Sequence, residues 1–211
     1  MHPVALRYQE MLERLDRWFA DTAKRHPGVI PCRAGCSACC HGPFDISAAD
    51  TLLLKEGMAA LSRGNQDGIR VAGERLLQEI VKQAPDWKAP YDIADLGEER
   101  FDGIAESLAN APCPMLDEKG CCMVYQHRPL VCRLIGLPMM TAEGELLENA
   151  CPIQEQFPDY ALLDPQLFDF GALQDAEILF NAEAAEALFG DKKKSEYETT
   201  ISAVAAQFQS K

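Results

Sequence analysis

The sequence predicts a mainly α-helical fold with irregular cysteine-rich loops and short β-hairpins. Apolar residues recur at helical spacing over several long stretches, and proline and glycine interrupt these stretches. The nine cysteines fall into two blocks that do not follow the helical pattern. With 211 residues, of which 47% are hydrophobic and 25% charged, the chain is large enough for a packed core.

The predicted helices follow from periodicity and from start and stop signals. Residues 4–25 place apolar side chains on one face, and Pro27 ends this stretch. A capping pattern at Ser47 predicts a helix over 48–62. The same criteria predict further helices over 66–83, 97–110, 172–189 and 192–209.

Short turns interrupt the second half of the chain. The polar turns Asp117–Gly120 and Ala142–Gly144 each lie between apolar runs and predict two small hairpins. Pro129 is suited to open a helical turn through Leu130–Leu134. We divide the chain into an N-terminal helix (1–28), a cysteine-rich domain (29–155) with a helical insert (about 46–110), and C-terminal helices (156–211) on the same core.

Charge and hydropathy restrict the partners and the compartment. The net charge of -13 disfavours a nucleic acid or an anionic membrane surface as partner, but it is compatible with a protein partner. The first 26 residues contain no apolar signal-peptide core, and no uncharged apolar stretch is long enough to span a bilayer. We therefore expect a cytoplasmic protein, and the oligomeric state stays open.

The cysteines are the main chemical signal. In a reducing cytosol, clustered thiols more often hold metal than form disulfides, and thiolates suit zinc or iron–sulfur clusters. Cys39 and Cys40 are adjacent, so their side chains serve different metals, or different irons of one cluster, more easily than one tetrahedral ion. Eight ligands allow two four-thiolate sites, one cluster plus a zinc, or one cluster with spare thiols. The metal would then organise the loops that carry them.

The spacing of the first block resembles the signature of a known family. Cys32-x3-Cys36-x2-Cys39-Cys40 is similar to that of the CxxCxxCC family, also called YkgJ-like, whose members are described as zinc- or iron-chelating. A second signature of that family resembles Cys113-Pro-Met-Leu, Gly120-x-Cys122-x-Val-Tyr125, Arg128-Pro129-x-x-Cys132-Arg133 and Cys151-Pro152.

The resemblance covers roughly residues 30–155 and implies a set of ligands. Cys121 lies outside the pattern. The metal ligands that the resemblance implies are Cys32, Cys36, Cys39, Cys40, Cys113, Cys122, Cys132 and Cys151.

Three further residues are expected close to these ligands. An iron–sulfur cluster held by thiolates is anionic, so Arg128 and Arg133 are suited to stabilise it and to donate hydrogen bonds to sulfur. We expect Tyr125 to pack its ring in the core beside the site, with its hydroxyl toward the ligands. We expect an iron–sulfur cluster, of the [4Fe-4S] type, with a redox or modification role. The alternative is zinc in a structural or protein-interaction module, and whether the protein is an enzyme stays open.

Overall fold

The computed structural model describes residues 1–30, 32, 35–147 and 149–209, and this part is mainly α-helical, as predicted. Its helices are α1 (Pro3–Arg25), α2 (Ala48–Ala59), α3 (Arg63–Gln83), α4 (Ile93–Leu96), α5 (Glu98–Ser107), α6 (Val131–Leu134), α7 (Phe170–Phe189) and α8 (Ile201–Ala206). Its strands are β1 (Asp45–Ser47), β2 (Met139–Met140), β3 (Gln166–Leu167) and β4 (Glu198–Thr200). Within the described ranges, no helix carries an apolar stretch that could cross a bilayer.

Side-chain caps fix where the first long helices begin. The Ser47 hydroxyl accepts a hydrogen bond from the Asp50 N–H (3.3 Å), which confirms the predicted start of α2. The Ser62 hydroxyl caps α3 by accepting from the Asn65 N–H (3.4 Å). Helix α3 therefore begins at Arg63, three residues before the predicted start at residue 66.

The strands are short, and both pairings join distant parts of the chain. Strand β1 pairs antiparallel with β4, with Asp45 opposite Thr200, and β2 pairs parallel with β3. The two predicted hairpins are each reduced to one antiparallel bridge, Leu116 with Cys122 and Met140 with Leu146. The chain thus reverses where the turn residues predict, but without extended ladders.

The predicted helix over 192–209 is wrong over its first half. The chain forms a 3₁₀ turn at Lys192–Lys194, then β4, and only then the six-residue helix α8. The β-branched Thr199 and Thr200 favour a strand, and β1 offers them a partner. The Thr200 hydroxyl then caps α8 by accepting from the Ala203 N–H (3.1 Å).

Three apolar clusters form the core. The first lies among α1, α2 and α7, and the second joins α3 to the segment that carries α4 and α5. The third contains Met58, Met115 and Val124, and it is continuous with residues of α8. The half-buried side chains of Cys113, Cys122 and Cys132 pack against this third cluster. The core therefore places three cysteines of the second block on one apolar surface.

Helices α3 and α8 approach each other closely at Gly73. A Cβ atom at this position would lie 2.5 Å from the Ala205 Cβ and 2.8 Å from the Ala206 nitrogen. Gly68, on an exposed stretch of the same helix, has open space where its Cβ would be. Glycine at position 73 is therefore required by the packing and not by the helix itself.

We expect Gly73→Ala to lower the free energy of unfolding by about 1–3 kcal/mol, because overpacking forces the two backbones apart. Gly68→Ala should instead raise it by up to about 1 kcal/mol, because alanine favours the helix. Denaturant unfolding followed by circular dichroism, at equal metal loading, measures both changes. Equal effects of the two substitutions would contradict the close approach of α3 and α8.

Candidate metal centre

Backbone hydrogen bonds bring the two cysteine blocks together. The Cys113 N–H donates to the Cys40 carbonyl (3.0 Å), and the Gly42 N–H donates to the Ala111 carbonyl (2.7 Å). The Cys40 N–H donates to the Ser37 carbonyl (2.9 Å), which closes a tight turn in the first block. Cys40 and Cys113 are far apart in sequence, yet they are directly joined at the site.

A polar turn presents Cys121 and Cys122 differently. The Asp117 carboxylate accepts from the backbone N–H groups of Lys119 (2.9 Å) and Cys121 (2.8 Å), which fixes the turn. Cys122 packs against the third apolar cluster, whereas Cys121 is exposed. The Cys121 sulfur faces the first block, 3.9 Å from where a Cβ on Gly35 would lie.

Cys32 and Cys151 are positioned by another part of the chain. The Cys32 sulfur lies against Gly136, 2.5 Å from where a Cβ would be, and Gly136 has a positive φ of 113° that favours glycine. The Gly136 N–H donates to the Asn149 carbonyl (2.9 Å), two residues before Cys151. The Cys151 N–H donates to the Tyr160 hydroxyl (3.1 Å), and Cys151 is buried.

The pKa values of the thiols show which sulfurs are neighbours in the first group. Desolvation of its sulfur, with the nearby sulfurs of Cys151, Cys39 and Cys36, raises the pKa of Cys32 to about 12. Burial, followed by the sulfurs of Cys36 and Cys39, likewise raises the pKa of Cys151. Cys32, Cys36 and Cys151 therefore lie within electrostatic reach of one another.

The pKa values of Cys113 and Cys132 indicate a second group of neighbouring sulfurs. Burial, with the sulfurs of Cys122 and Cys39, raises the pKa of Cys113 to about 12. Burial, followed by the sulfurs of Cys113 and Cys122, raises the pKa of Cys132 well above its ordinary value. A hydrogen bond with Cys40, and then burial, raises the pKa of Cys39. Cys39 is thus the cysteine that acts on both groups.

All eight predicted ligands are free thiols, and three of them, Cys113, Cys122 and Cys132, pack against the third apolar cluster. Among the residues that the structure describes, no three His, Cys, Asp or Glu side chains converge closely enough to hold one ion. The contacts of each thiol show which other cysteines lie near it, but the set of eight metal ligands stays a prediction. Sulfur alone is the donor chemistry that zinc and iron–sulfur clusters use, so these residues fit either.

Comparison with known proteins agrees with this chemistry. Residues 31–152 match the CxxCxxCC family, described as "putative zinc- or iron-chelating domain". The chain belongs to the CxxCxxCC family. No curated protein and no solved structure matches the chain. Membership in this family supports metal binding by residues 31–152. It does not distinguish zinc from iron.

The arginines of the CxxCxxCC region differ in what they contact. The Arg128 guanidinium lies 4.0 Å from the centre of the Tyr125 ring and donates to the Tyr125 carbonyl (3.0 Å). Burial raises the pKa of Cys122, and the positive charge of Arg128 opposes that rise, as it does for Cys32. The charge of Arg128 therefore acts on the sulfurs of both Cys122 and Cys32.

Arg133 directs its donors away from sulfur. Its side chain is fully buried and forms an ion pair with Asp16. Its other nitrogens donate to the carbonyls of Arg128 and Gln126, both at 3.0 Å. Among the described contacts, Arg133 thus fastens the segment before Cys132 to helix α1.

The expectation that Tyr125 packs in the core is wrong. Its side chain is 57% exposed, and its ring supports the guanidinium of Arg128. The surrounding 3₁₀ turn, Tyr125–His127, contains no buried residue. Tyr125 therefore contributes to the site by holding Arg128 and not by filling the apolar core.

Two carboxylates that position the CxxCxxCC region lack a signal in the sequence. Asp16 of α1 pairs with both Arg128 (2.6 Å) and Arg133, although it lies outside the matched residues. Asp50 of α2 accepts hydrogen bonds from the Tyr8 hydroxyl (3.0 Å) and the Leu130 N–H (2.9 Å). Burial raises the pKa of Asp50 to about 6. Both residues look like ordinary helix acids until their distant partners are known.

We expect Asp16→Asn to lower the free energy of unfolding by about 2 kcal/mol, because two guanidinium groups, one of them fully buried, lose their carboxylate. Metal should also transfer faster from the variant to a competing chelator. Asp21→Asn is the matched control, since Asp21 pairs only across an exposed helix face with Lys24 (2.9 Å). Indistinguishable unfolding and metal transfer in the two variants would show that Asp16 does not support the site.

Proposed function

We propose that this protein binds an iron–sulfur cluster, of the [4Fe-4S] type, through its cysteines. The observation that carries the proposal is the joining of the two cysteine blocks by the hydrogen bond from the Cys113 N–H to the Cys40 carbonyl, with the charge of Arg128 near Cys32 and Cys122. Such a cluster, when bound, supplies one-electron chemistry. The proposed role is therefore electron transfer or support of a modification reaction.

The donor set favours a cluster in two respects. Each thiolate of a [4Fe-4S] cluster binds a different iron, so adjacent ligands such as Cys39 and Cys40 can bind without converging on one ion. A cluster held by thiolates is anionic, and the guanidinium of Arg128 offsets such charge near Cys32 and Cys122. The Tyr125 ring and Asp16 hold that guanidinium in place.

The residues of the chain also control protons at the site. Burial keeps Cys113 and Cys132 protonated at neutral pH when no metal is bound. Each must lose its proton to become a ligand, so metal binding releases protons and strengthens with rising pH. Cys132 is presented to the site by the Asp50 carboxylate, which holds the Leu130 N–H two residues earlier.

A structural zinc site is the second candidate, because a donor set made of thiolates can fill all four positions of tetrahedral zinc and leave none open for a substrate. Zinc closed by four thiolates would then pin the loops and present their outer surface to a protein partner.

Anaerobic purification distinguishes the two candidates. Protein expressed with abundant iron should contain iron and acid-labile sulfide in equal amounts, with broad visible absorption that bleaches on reduction. Cys121→Ser should retain this content, because Cys121 lies outside the family pattern, while Cys122→Ser should lose much of it. Colourless protein with stoichiometric zinc would reject the cluster and support the structural site.

The reduction potential tests the role of Arg128. We expect Arg128→Gln to lower the potential by roughly 50 mV, because losing a positive charge several ångströms away disfavours the more negative reduced state. Arg100→Gln is the control, since Arg100 is an exposed side chain of α5 that pairs with Asp86 (2.7 Å). Equal potentials in both variants would place Arg128 outside the influence of the cluster.

A further inference from the structure

We propose that one face of the small sheet formed by β2, β3 and the segment of Leu146 is a docking surface for a basic segment of a partner protein. The docking surface consists of Met140, Leu146 and Leu167. It contains no cysteine, so this inference does not depend on which metal the protein binds.

Strand pairing places these three side chains in one row. Met140 of β2 is directly opposite Leu167 of β3 and, on its other side, directly opposite Leu146. Directly paired residues point to the same face of a sheet, whereas their chain neighbours point to the other face. Leu146 and Leu167 are 66% and 63% exposed, while Met139 is buried. The row therefore points away from the core, on the side opposite to Met139.

This row differs from isolated leucines on a surface. Single exposed apolar side chains are common in monomeric proteins, whereas adjacent ones mark interaction sites. A methionine at the centre of the row adapts to the shape of a partner, because its side chain is flexible and polarizable. Leu146 and Leu167 would both lose water on contact with that partner, which favours binding.

The outer edge of β3 is open for hydrogen bonding. The Gln166 N–H donates to the Pro138 carbonyl (2.8 Å). The Phe168 N–H donates to the Met140 carbonyl (3.4 Å). The N–H and carbonyl of Leu167, between them, therefore point away from β2. In the part of the chain that the structure describes, β3 pairs with no strand other than β2. An extended segment of a partner can add to this edge and place alternate side chains beside Leu167.

The charge around this face determines the chemistry of the partner. Residues 134–190 include the whole docking surface and contain seven glutamates and four aspartates, but no lysine, arginine or histidine. Glu143 and Glu145, in the turn that follows β2, are exposed. Among the described residues, the only acid of this stretch in an ion pair is Glu183, which pairs with Arg7. A partner that carries Lys or Arg beside its apolar side chains would therefore complement both the charge and the apolar row.

The same charge disfavours other occupants. A second copy of the chain, related by a two-fold axis, would bring the identical acidic surface against itself. A nucleic acid or an anionic membrane would add further negative charge. A basic protein segment is therefore the occupant that the apolar row and the surrounding acids favour together.

Selection from a display library of random peptides tests the docking surface, with metal-loaded wild-type protein as the target. We expect the enriched peptides to combine Lys or Arg with apolar residues, and their binding to weaken as salt is raised. A double variant, Leu146→Ser with Leu167→Ser, should bind them about tenfold more weakly, because the apolar row is lost. Leu179→Ser is the matched control, since Leu179 is similarly exposed (68%) but lies on α7.

The outcomes decide this proposal separately from the proposed function. The variants should keep the metal content and the circular dichroism spectrum of the wild type, because the substituted side chains are exposed. No enrichment, enriched peptides without basic residues, or equal binding by the double variant and the wild type would overturn the docking surface. Dimers in sedimentation velocity that disappear in the double variant would also overturn it, because a second copy would then be the occupant. If the double variant does not fold, Glu143→Lys with Glu145→Lys replaces it and should weaken binding of the same peptides about fivefold.

Discussion

The burial of sulfur is the constraint on which the cysteine centre depends. Desolvation raises the pKa values of Cys113, Cys132 and Cys151, so their thiols stay protonated at neutral pH without metal. Metal must therefore displace protons from a site that the fold has already partly assembled. Because the thiols lie on loops, part of the free energy of metal binding is used to order those loops.

The scaffold around these thiols extends beyond the residues that define the family. Asp16 of α1 clamps two arginines of the matched range, and β4 pairs with β1 from a segment near residue 200. Asp50 lies within the matched residues 31–152, but its carboxylate accepts a hydrogen bond from the Tyr8 hydroxyl of α1. The CxxCxxCC region thus carries the candidate ligands, while α1 on one side of it and β4 on the other contact it and help to position it.

Local sequence signals predicted the helices well and the pairing of distant segments poorly. The Ser47 cap and the apolar periodicity of α1 act within a few residues of each other, so the sequence reveals them. The sequence did not predict strand β4, because its partner β1 lies some 150 residues earlier along the chain. Asp16 was missed for the same reason, since an acid on a helix does not reveal an ion pair with residues more than 110 positions away.

For the site, cysteine spacing indicates candidate ligands but not what surrounds each thiol. The Cys32 sulfur lies against Gly136, whereas Cys132 packs against the third apolar cluster. Tyr125 shows the same limit, because its motif predicts proximity to the ligands, whereas its exposure depends on the turn that carries it.

One guanidinium connects the two groups of sulfurs. The charge of Arg128 acts on Cys32 of the first group and on Cys122 of the second. Sulfurs that lose their protons to bind metal would repel one another, because several negative charges would then lie close together. The positive charge of Arg128 offsets such repulsion from a position held by Asp16 and the Tyr125 ring. The ion pair between α1 and the CxxCxxCC region therefore does more than hold a loop, because it also keeps a positive charge near the sulfurs.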